Sequence, residues 1–442
     1  MILPPNLDDW LPKDHFARFI SSVIDTLDLS EIINYYEVET KGAPPYDPKM
    51  MVKIRTYADC IGRPSSRKIN KGMVDEIPFR FLGAGNFPDF RTISDFRKIH
   101  HKALANLFTQ VLGLCDKAGL IKLTTVSLDG TKMKANASID KNRTMKKLRE
   151  LENKYEEIAR KTIEDGIKTD EEEDEIYGKD YDGHSVPKDA LERVRKAMRD
   201  LEEEKRKKQE EYQKHADERK KKEEETGKKL RGRKPISPDD KKKKEKKEPV
   251  ANTTDPDSRI MKTRNGFIQG INSQAAVDAD SQIIVAAEVT QDHNDLNQLE
   301  SMINKVIENT KKTPKNVVAD AGYDNSDQIK RLKELCNVLI PTQKDWKQRK
   351  AMKEQSVPRG RIPKRLTERE RRERALLTKR GKAIYKKRGS SIEPVNGQIK
   401  TARGLCTFLL RGIEKVASEW KMYCIGNNLL KLWRHSVIKQ KC

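Results

Sequence analysis

The chain has little of what a disulfide-built, zinc-bound, exported or membrane-spanning protein needs. Its six cysteines (Cys60, Cys115, Cys336, Cys406, Cys424, Cys442) are scattered, with no C-x-x-C pair and no histidines at matching spacing. Neither a zinc site nor a disulfide framework is therefore expected. His100 and His101 are adjacent and the other histidines isolated, so none has ligand spacing. No apolar run approaches the roughly 18–20 residues that cross a bilayer. The opening MILPPNLDDW lacks a basic segment followed by an apolar one, the pattern of an export signal. A reducing cytoplasm is the expected compartment, with no membrane partner. Hydrophobic residues make up only 35% of the chain, which predicts a portion with no core of its own.

Positive charge is what the chain has in excess. Lys and Arg number 92 against 69 Asp and Glu, a net charge of +23. Such an excess points to a polyanion, because each phosphate neutralised by a cation releases condensed counterions. Ribosome-associated and chromatin-like proteins share it, so the charge narrows the partner and not the chemistry.

At 442 residues the chain accommodates two or three domains. Residues 1–120 read as short helices broken by turns. Helix starts are expected near Asp14, at Pro48, at Ser65 and at Thr92, each with a capping or first-turn residue before a periodic apolar pattern. Residues 141–255 differ: positions 201–250 hold 20 Lys/Arg and 14 Asp/Glu, so 34 of 50 are charged. Two stripes there, Leu148, Leu151, Tyr155, Ile158 and Leu191, Val194, Met198, Leu201, step by 3, 4, 3. That spacing predicts two helices meeting as a coiled-coil hairpin, joined by an acidic loop and ending in a solvated, partly disordered basic tail. This segment reads as an insertion within a domain built from 121–140 and 256–442.

In that domain KLTTVSLDG, GFIQGINSQAAVD, QIIVAAEVT, NVVADAGY and NVLIPTQ read as five strands. Three come in succession, then helix, strand, helix, strand and a long helical region. The expectation is an α/β domain with a mixed sheet, the order of the ribonuclease H-like fold. Asp129 closes the first strand, Asp320 closes the fourth, and Glu393 opens a helix in RGSSIEPVNGQIK. Carboxylates at strand ends can converge on one point, as phosphodiester chemistry with hard divalent cations requires.

These residues resemble the insertion-sequence transposases of the DDE superfamily, in the branch whose third motif reads Tyr-x-x-Arg, Glu, Lys. Tyr385, Arg388, Glu393 and Lys400 match it, with four residues between Arg and Glu where three is commoner. LDGTK (Leu128–Lys132) is similar to the first motif and DAGY (Asp320–Tyr323) to the second. The likeness extends to YDPKMMVKI, SSRKI and PDFRTISDFRKIHH, and to LLRGIEKVASEWKMY and NNLLKL near the end. It implies a DNA transposase with a ribonuclease H-like domain. Asp129, Asp320 and Glu393 would hold Mg²⁺ or Mn²⁺, and Tyr385, Arg388 and Lys400 would serve DNA binding, Tyr385 as support for the site. The partners would be the terminal inverted repeats and target DNA, bound by a homodimer, with the protein associated with a bacterial nucleoid.

Competing readings exist for each motif. LDGT also occurs in haloacid-dehalogenase-like phosphatases, but their nucleophilic Asp would fall at Ser127. Asp320 fits a turn at a strand end, and Ser390-x-x-Glu393 fits a capping box. Arg388 and Lys400 sit in a Lys/Arg-rich stretch that could be a solvated face. Asp295 reads as a helix N-cap rather than a ligand. RGRKP (Arg231–Pro235) and RGRIP (Arg359–Pro363) resemble minor-groove Arg-Gly-Arg cores, but in a chain this basic chance explains them better. A helix from Thr92, with Arg97, Lys98, His100 and His101 exposed, is a candidate recognition helix. A non-catalytic DNA-binding descendant and a structure-selective nuclease on the same fold are the alternative functions.

Overall fold

The computed structural model describes residues 6–37, 44–174, 188–227, 248–343, 345–363 and 365–441. Helices α1 (Leu7–Trp10), α2 (Phe16–Asp25), α3 (Ser30–Glu37), α4 (Pro48–Cys60), α5 (Ser66–Asp75), α6 (Ile77–Leu82), α7 (Phe90–Ile99) and α8 (His101–Lys117) lead into strand β1 (Thr125–Lys134). Then come β2 (Asn142–Thr144), α9 (Met145–Asp174), α10 (Lys188–Thr226), β3 (Val250–Asn252), β4 (Arg259–Thr263), β5 (Gly266–Asp278) and β6 (Ile284–Thr290). The remainder is α11 (Leu299–Thr310), β7 (Asn316–Val318), α12 (Ser326–Leu332), β8 (Asn337–Leu339), α13 (Asp345–Glu354), α14 (Glu368–Leu377), α15 (Lys379–Gly397), a π-helical turn over Gln398–Ala402, and α16 (Ile413–Lys441). The chain divides into two compact units, Met1–Lys134 with Ile271–Cys442, and Ala135–Gly270.

In the first unit local chemistry sets the helix starts. Asp47 accepts from Lys49 N at 2.8 Å, and Pro48 fills the first turn of α4. Asp89 accepts from the N–H groups of Arg91 and Thr92, so α7 starts at Phe90, two residues before the expected Thr92. That stretch is not one helix: α7 ends at Ile99 and α8 begins at His101. Nor are the four basic residues a single exposed face. Lys98 is exposed, but Arg97 and His100 are buried. The His100 ring packs against Tyr35 and Phe96 and bonds the Tyr36 hydroxyl at 2.8 Å. His101 is half-buried against Ser418, 3.1 Å away.

The sheet is mixed. β5 lies beside β1 and pairs antiparallel with β6, while β1–β7 and β7–β8 are parallel. β4, not anticipated as a strand, pairs antiparallel with the first residues of β5. Helix α16 holds the sheet to the N-terminal helices through one apolar core that includes Ile20, Ile54, Phe108, Trp420 and Tyr423. The Trp420 indole N–H donates to the Gln274 carbonyl at 3.0 Å. The Asn428 amide both accepts from Ile284 N and donates to Ile284 O, at 2.8 Å each, occupying backbone groups of β6. Buried backbone groups need such partners, which gives the NNLLKL segment a structural reason.

Asp278 shows how the β5–β6 turn is fixed. Its carboxylate accepts from Lys122 N and Leu123 N ahead of β1, and from Asp280 N and Ser281 N in the turn. Replacing it with alanine strands four backbone donors, at about 1 kcal/mol or more each. Asp278→Ala is expected to lose about 3–5 kcal/mol, read as a lower urea midpoint; a midpoint within error of the parent would show that water replaces the carboxylate.

In the second unit α9 and α10 pack through Leu148, Val194, Ala197 and Leu201, with Ala251 of β3 against them and Leu151, Tyr155 and Met198 at the margin. Arg195 adds ion pairs to Glu152 (3.0 Å) and Glu156 (2.6 Å). β2 and β3 pair antiparallel at its base. The apolar contact is shorter than the two stripes, because Ile158 is exposed and Leu191 lies outside the cluster. Most of the acidic loop and the whole RGRKP string lie outside the described residues. Cys60, Cys115, Cys336 and Cys424 are buried and free, and Cys406 is exposed and free. Among the described residues no helix is long and apolar enough to cross a membrane.

Candidate active site

The site forms beside the end of β7, and Asp129 does not close its strand as expected: it is the fifth of ten residues of β1, which runs on to Lys134. The parallel register of β1 and β7 pairs Val126 with Val317 and Ser127 with Val318, so Asp129 within β1 and Asp320 just past β7 each follow two residues after that last pair. Asp320 also makes the turn expected of it: its Oδ1 accepts from Gly322 N at 2.9 Å and starts a short 3₁₀ turn. The turn reading and the site reading are thus compatible, because the turn occupies Oδ1 alone.

Helix α15 lies against β1, fastened by the Ser127 and Ser391 hydroxyls at 2.7 Å. Ser127, the residue that argues against a phosphatase, is a buried contact between strand and helix. Glu393 does not open this helix, as the sequence had suggested. α15 starts at Lys379, capped by Thr378, and Glu393 sits four residues before its end at Gly397. The capping box is corrected with it, since the Ser390 hydroxyl donates back to the Lys387 carbonyl. Pro394 lies inside the helix and cannot donate to the Ser390 carbonyl one turn earlier. Gln282 Nε2 does so instead, at 2.9 Å. A π-helical turn follows at once and carries Lys400, and such turns frequently mark functional sites.

Arg388 is no solvated face. It is 6% exposed, and its Nη2 lies 3.4 Å from Glu393 Oε1, while Glu393 itself is exposed. Lys400 is half-buried; burial lowers its pKa and the nearby Asp129 charge works the other way. Tyr385 takes the supporting place expected of it. Only 5% exposed, it packs with Val318, Leu339 and Leu376, so its ring supports β7 two residues before Asp320.

Asp295 is the residue that sequence reasoning placed wrongly. It does not cap α11, where Gln298 stands at the cap position. Its Oδ1 instead accepts from Asn272 Nδ2 at 2.8 Å and Gln274 Nε2 at 2.6 Å, both on β5. Gln274 is held in turn by the Tyr323 hydroxyl, which donates to its side-chain oxygen. Asp295 reaches Asp129 across Gly130. A Cβ built on Gly130 would stand 2.2 Å from Asp295 Oδ1 and 2.5 Å from Gln274 Nε2. The glycine of LDGT is therefore required by close approach. Asp295 Oδ2 also lies 3.6 Å from a Cβ built on Gly322, beside Asp320. Nothing in DHNDLNQ distinguishes this aspartate from a cap; only β5 supplies its partners.

Three aspartates thus crowd one place, and Asp129 registers it. Burial, then the Asp320 charge, push its carboxyl up to about 7, with Asp295 adding to the rise. Arg388 and the Asn396 amide, which donates to Asp129 Oδ2 at 2.8 Å, pull the other way. Among the described residues no three His, Cys, Asp or Glu side chains stand as a ready cation cage; Glu393 is turned to Arg388. The donor set nevertheless suits Mg²⁺ or Mn²⁺. It offers hard carboxylate oxygens whose mutual repulsion a divalent ion relieves, and beside Asp129 the buried Asn396 Oδ1 has no hydrogen-bond partner among the described residues.

Two family models match the chain. Residues 5–99 match a transposase domain (DUF772), and residues 248–429 match a transposase DDE domain. Fold and matches together define the class as a DNA transposase. More particularly, the chain carries the domains of an insertion-sequence transposase. The DDE domain implies a ribonuclease H-like fold for the mixed sheet and a general dependence on divalent metal. That match contains Asp295, Asp320 and Glu393 but begins after Asp129, so geometry alone joins Asp129 to the others. No curated protein and no solved structure gives a match.

Proposed function

We propose that this protein binds the ends of its own insertion element, cuts a strand there and joins the freed 3′-hydroxyl to target DNA. The observation that carries this reading is the meeting of Asp129, midway along β1, with Asp320 past the end of β7 and with Asp295, and Arg388 and Glu393 alongside. Asp129, Asp320 and Glu393 would hold Mg²⁺ or Mn²⁺, which when bound activates the attacking oxygen and stabilises the leaving one. Asn396 fixes the rotamer of Asp129. Asn272 and Gln274 fix Asp295 as an additional negative group next to it. Arg388 orients Glu393 and offers a guanidinium to a scissile phosphate, with Lys400 as a second, partly desolvated cation.

The N-terminal helices (1–120) and the charged segment (141–255) would bind DNA or pair two copies, because two ends must be joined. The test uses duplex carrying the element's end. Asp320→Asn and Glu393→Gln are expected to bind it as the parent does and to cut it at least about 10³-fold more slowly, the equivalent of about 4 kcal/mol of transition-state stabilisation. Cutting at the parent rate in either variant would sink the assignment. Parent protein that binds the duplex yet neither cuts nor joins it with any divalent metal would favour a non-catalytic DNA-binding role.

A further inference from the structure

A second basic site lies among the N-terminal helices, built from residues that take no part in the carboxylate cluster. An open cleft of about 470 Å³ is lined by Ser65, Ser66 and Arg67 at the start of α5, by Phe90, Arg91, Ser94, Asp95, Arg97 and Lys98 of α7, and by Leu409. Four cations face one carboxylate, and that carboxylate, Asp95, is already paired with Lys98 at 2.8 Å. The N-terminus of α5 contributes positive potential: the Ser65 hydroxyl makes no capping bond, so the first-turn N–H groups lack the usual side-chain acceptor.

The independent observation is Arg97. It is 9% exposed, lines the cleft, and neither its Nε nor its Nη1 has a hydrogen-bond partner among the described residues. The charges behind it are Arg55, Asp59 and Glu419. Asp59 bonds Arg55 at 2.7 Å, and the Glu419 oxygens accept from the backbone N–H groups of Leu409 and Leu410. The acids balance its charge at a distance while leaving its donors unused. A buried guanidinium with idle N–H groups is costly unless an acceptor arrives, and the approach left open is the cleft. A phosphate suits it, since guanidinium, serine hydroxyls and helix N–H groups are the donors that hold phosphate oxygens.

We propose that this cleft docks a backbone phosphate of duplex DNA and anchors the N-terminal helices without reading sequence. A DNA phosphate fits better than a free one because the cleft wall holds more cations than one phosphate neutralises. Besides Arg97 and Lys98, the exposed Arg67 and Arg91 have their guanidinium carbons 4.9 and 5.8 Å from the Phe90 ring centroid, free to meet neighbouring charges of a polymer. The inference rests on DNA being the partner.

Full-length protein is titrated with end-bearing and random duplex over a range of salt. Two variants are compared: Arg97→Met, and Ser66→Asp, which places a carboxylate where the phosphate would sit but at a helix position that tolerates acids, so the fold is kept. Both are expected to lower the slope of log affinity on log salt by about 0.9, the value of one phosphate. The preference for end over random duplex should stay unchanged. Ethylation interference should lose one phosphate position found with the parent. Parent slopes in Ser66→Asp overturn the proposal, as does an inorganic phosphate site abolished by the variants while the DNA slope stays put. Parent protein that binds no duplex at any salt would instead overturn the transposase reading.

Discussion

Asp129→Asn is expected to make the protein more stable above pH 8 and unable to cut DNA. Its carboxyl stands at about 7 in the folded chain, against an ordinary 3.8, because burial and then the Asp320 charge disfavour ionisation. Below about pH 4 folded and unfolded chains both hold the proton, and the group does not affect stability. Between about 4 and 7 the unfolded chain releases its proton while the folded chain keeps it, so stability falls as pH rises. Above the folded value the loss is complete, on the order of 4 kcal/mol at about 1.4 kcal/mol per pH unit. Asparagine carries no such charge. In EDTA, urea midpoints of variant and parent should coincide near pH 4 and separate by pH 8 in the variant's favour. Mg²⁺ should narrow the gap by stabilising only the parent. Midpoints that move together from pH 4 to pH 8 would mean that Asp129 is not crowded by its neighbours. Cutting should fall at least about 10³-fold at every pH, by the same reasoning as for Asp320.

The parts of this site that were legible in the sequence are those carried by local pattern. Apolar runs bounded by turns mark β1, β5, β6, β7 and β8, and DAGY puts Asp320 just past a strand end, whereas β1 runs five residues beyond Asp129, which LDGT reads as its close. The seam of α9 and α10 is legible for the same reason, through its 3, 4, 3 steps. What was not legible depends on partners distant in the chain. Ser390-x-x-Glu393 has the look of a helix start, yet α15 runs through it from Lys379, because Gln282 satisfies the carbonyl that Pro394 leaves open. Arg97 has the look of an exposed basic residue, yet Arg55, Asp59 and Glu419 gather behind it. Tyr385 matches a motif, and only the fold shows its ring supporting β7. Asp295 is the clearest case, since an aspartate ahead of a helix is ordinarily a cap.

Asp295→Ala is expected to raise the Mg²⁺ concentration needed for half-maximal cutting by about 10- to 100-fold, the usual effect of losing a group that supports metal ligands. The argument rests on position. Asp295 adjoins Asp129 through Gly130 and Asp320 through Gly322, and two β5 amides hold its carboxylate so that it cannot turn to solvent. A negative group fixed there strengthens the attraction of the other carboxylates for a divalent cation. A purely structural role predicts something else: lower stability and weaker DNA binding at an unchanged Mg²⁺ midpoint. Gly130→Ala supplies the cross-check, because its methyl would occupy the position of Asp295 Oδ1 while leaving every carboxylate in the chain. It should reproduce the raised midpoint. Isothermal titration with Mn²⁺ gives a readout independent of turnover, and weaker Mn²⁺ binding is expected in both variants. Parent-like Mn²⁺ affinity in Asp295→Ala would return this aspartate to the scaffold.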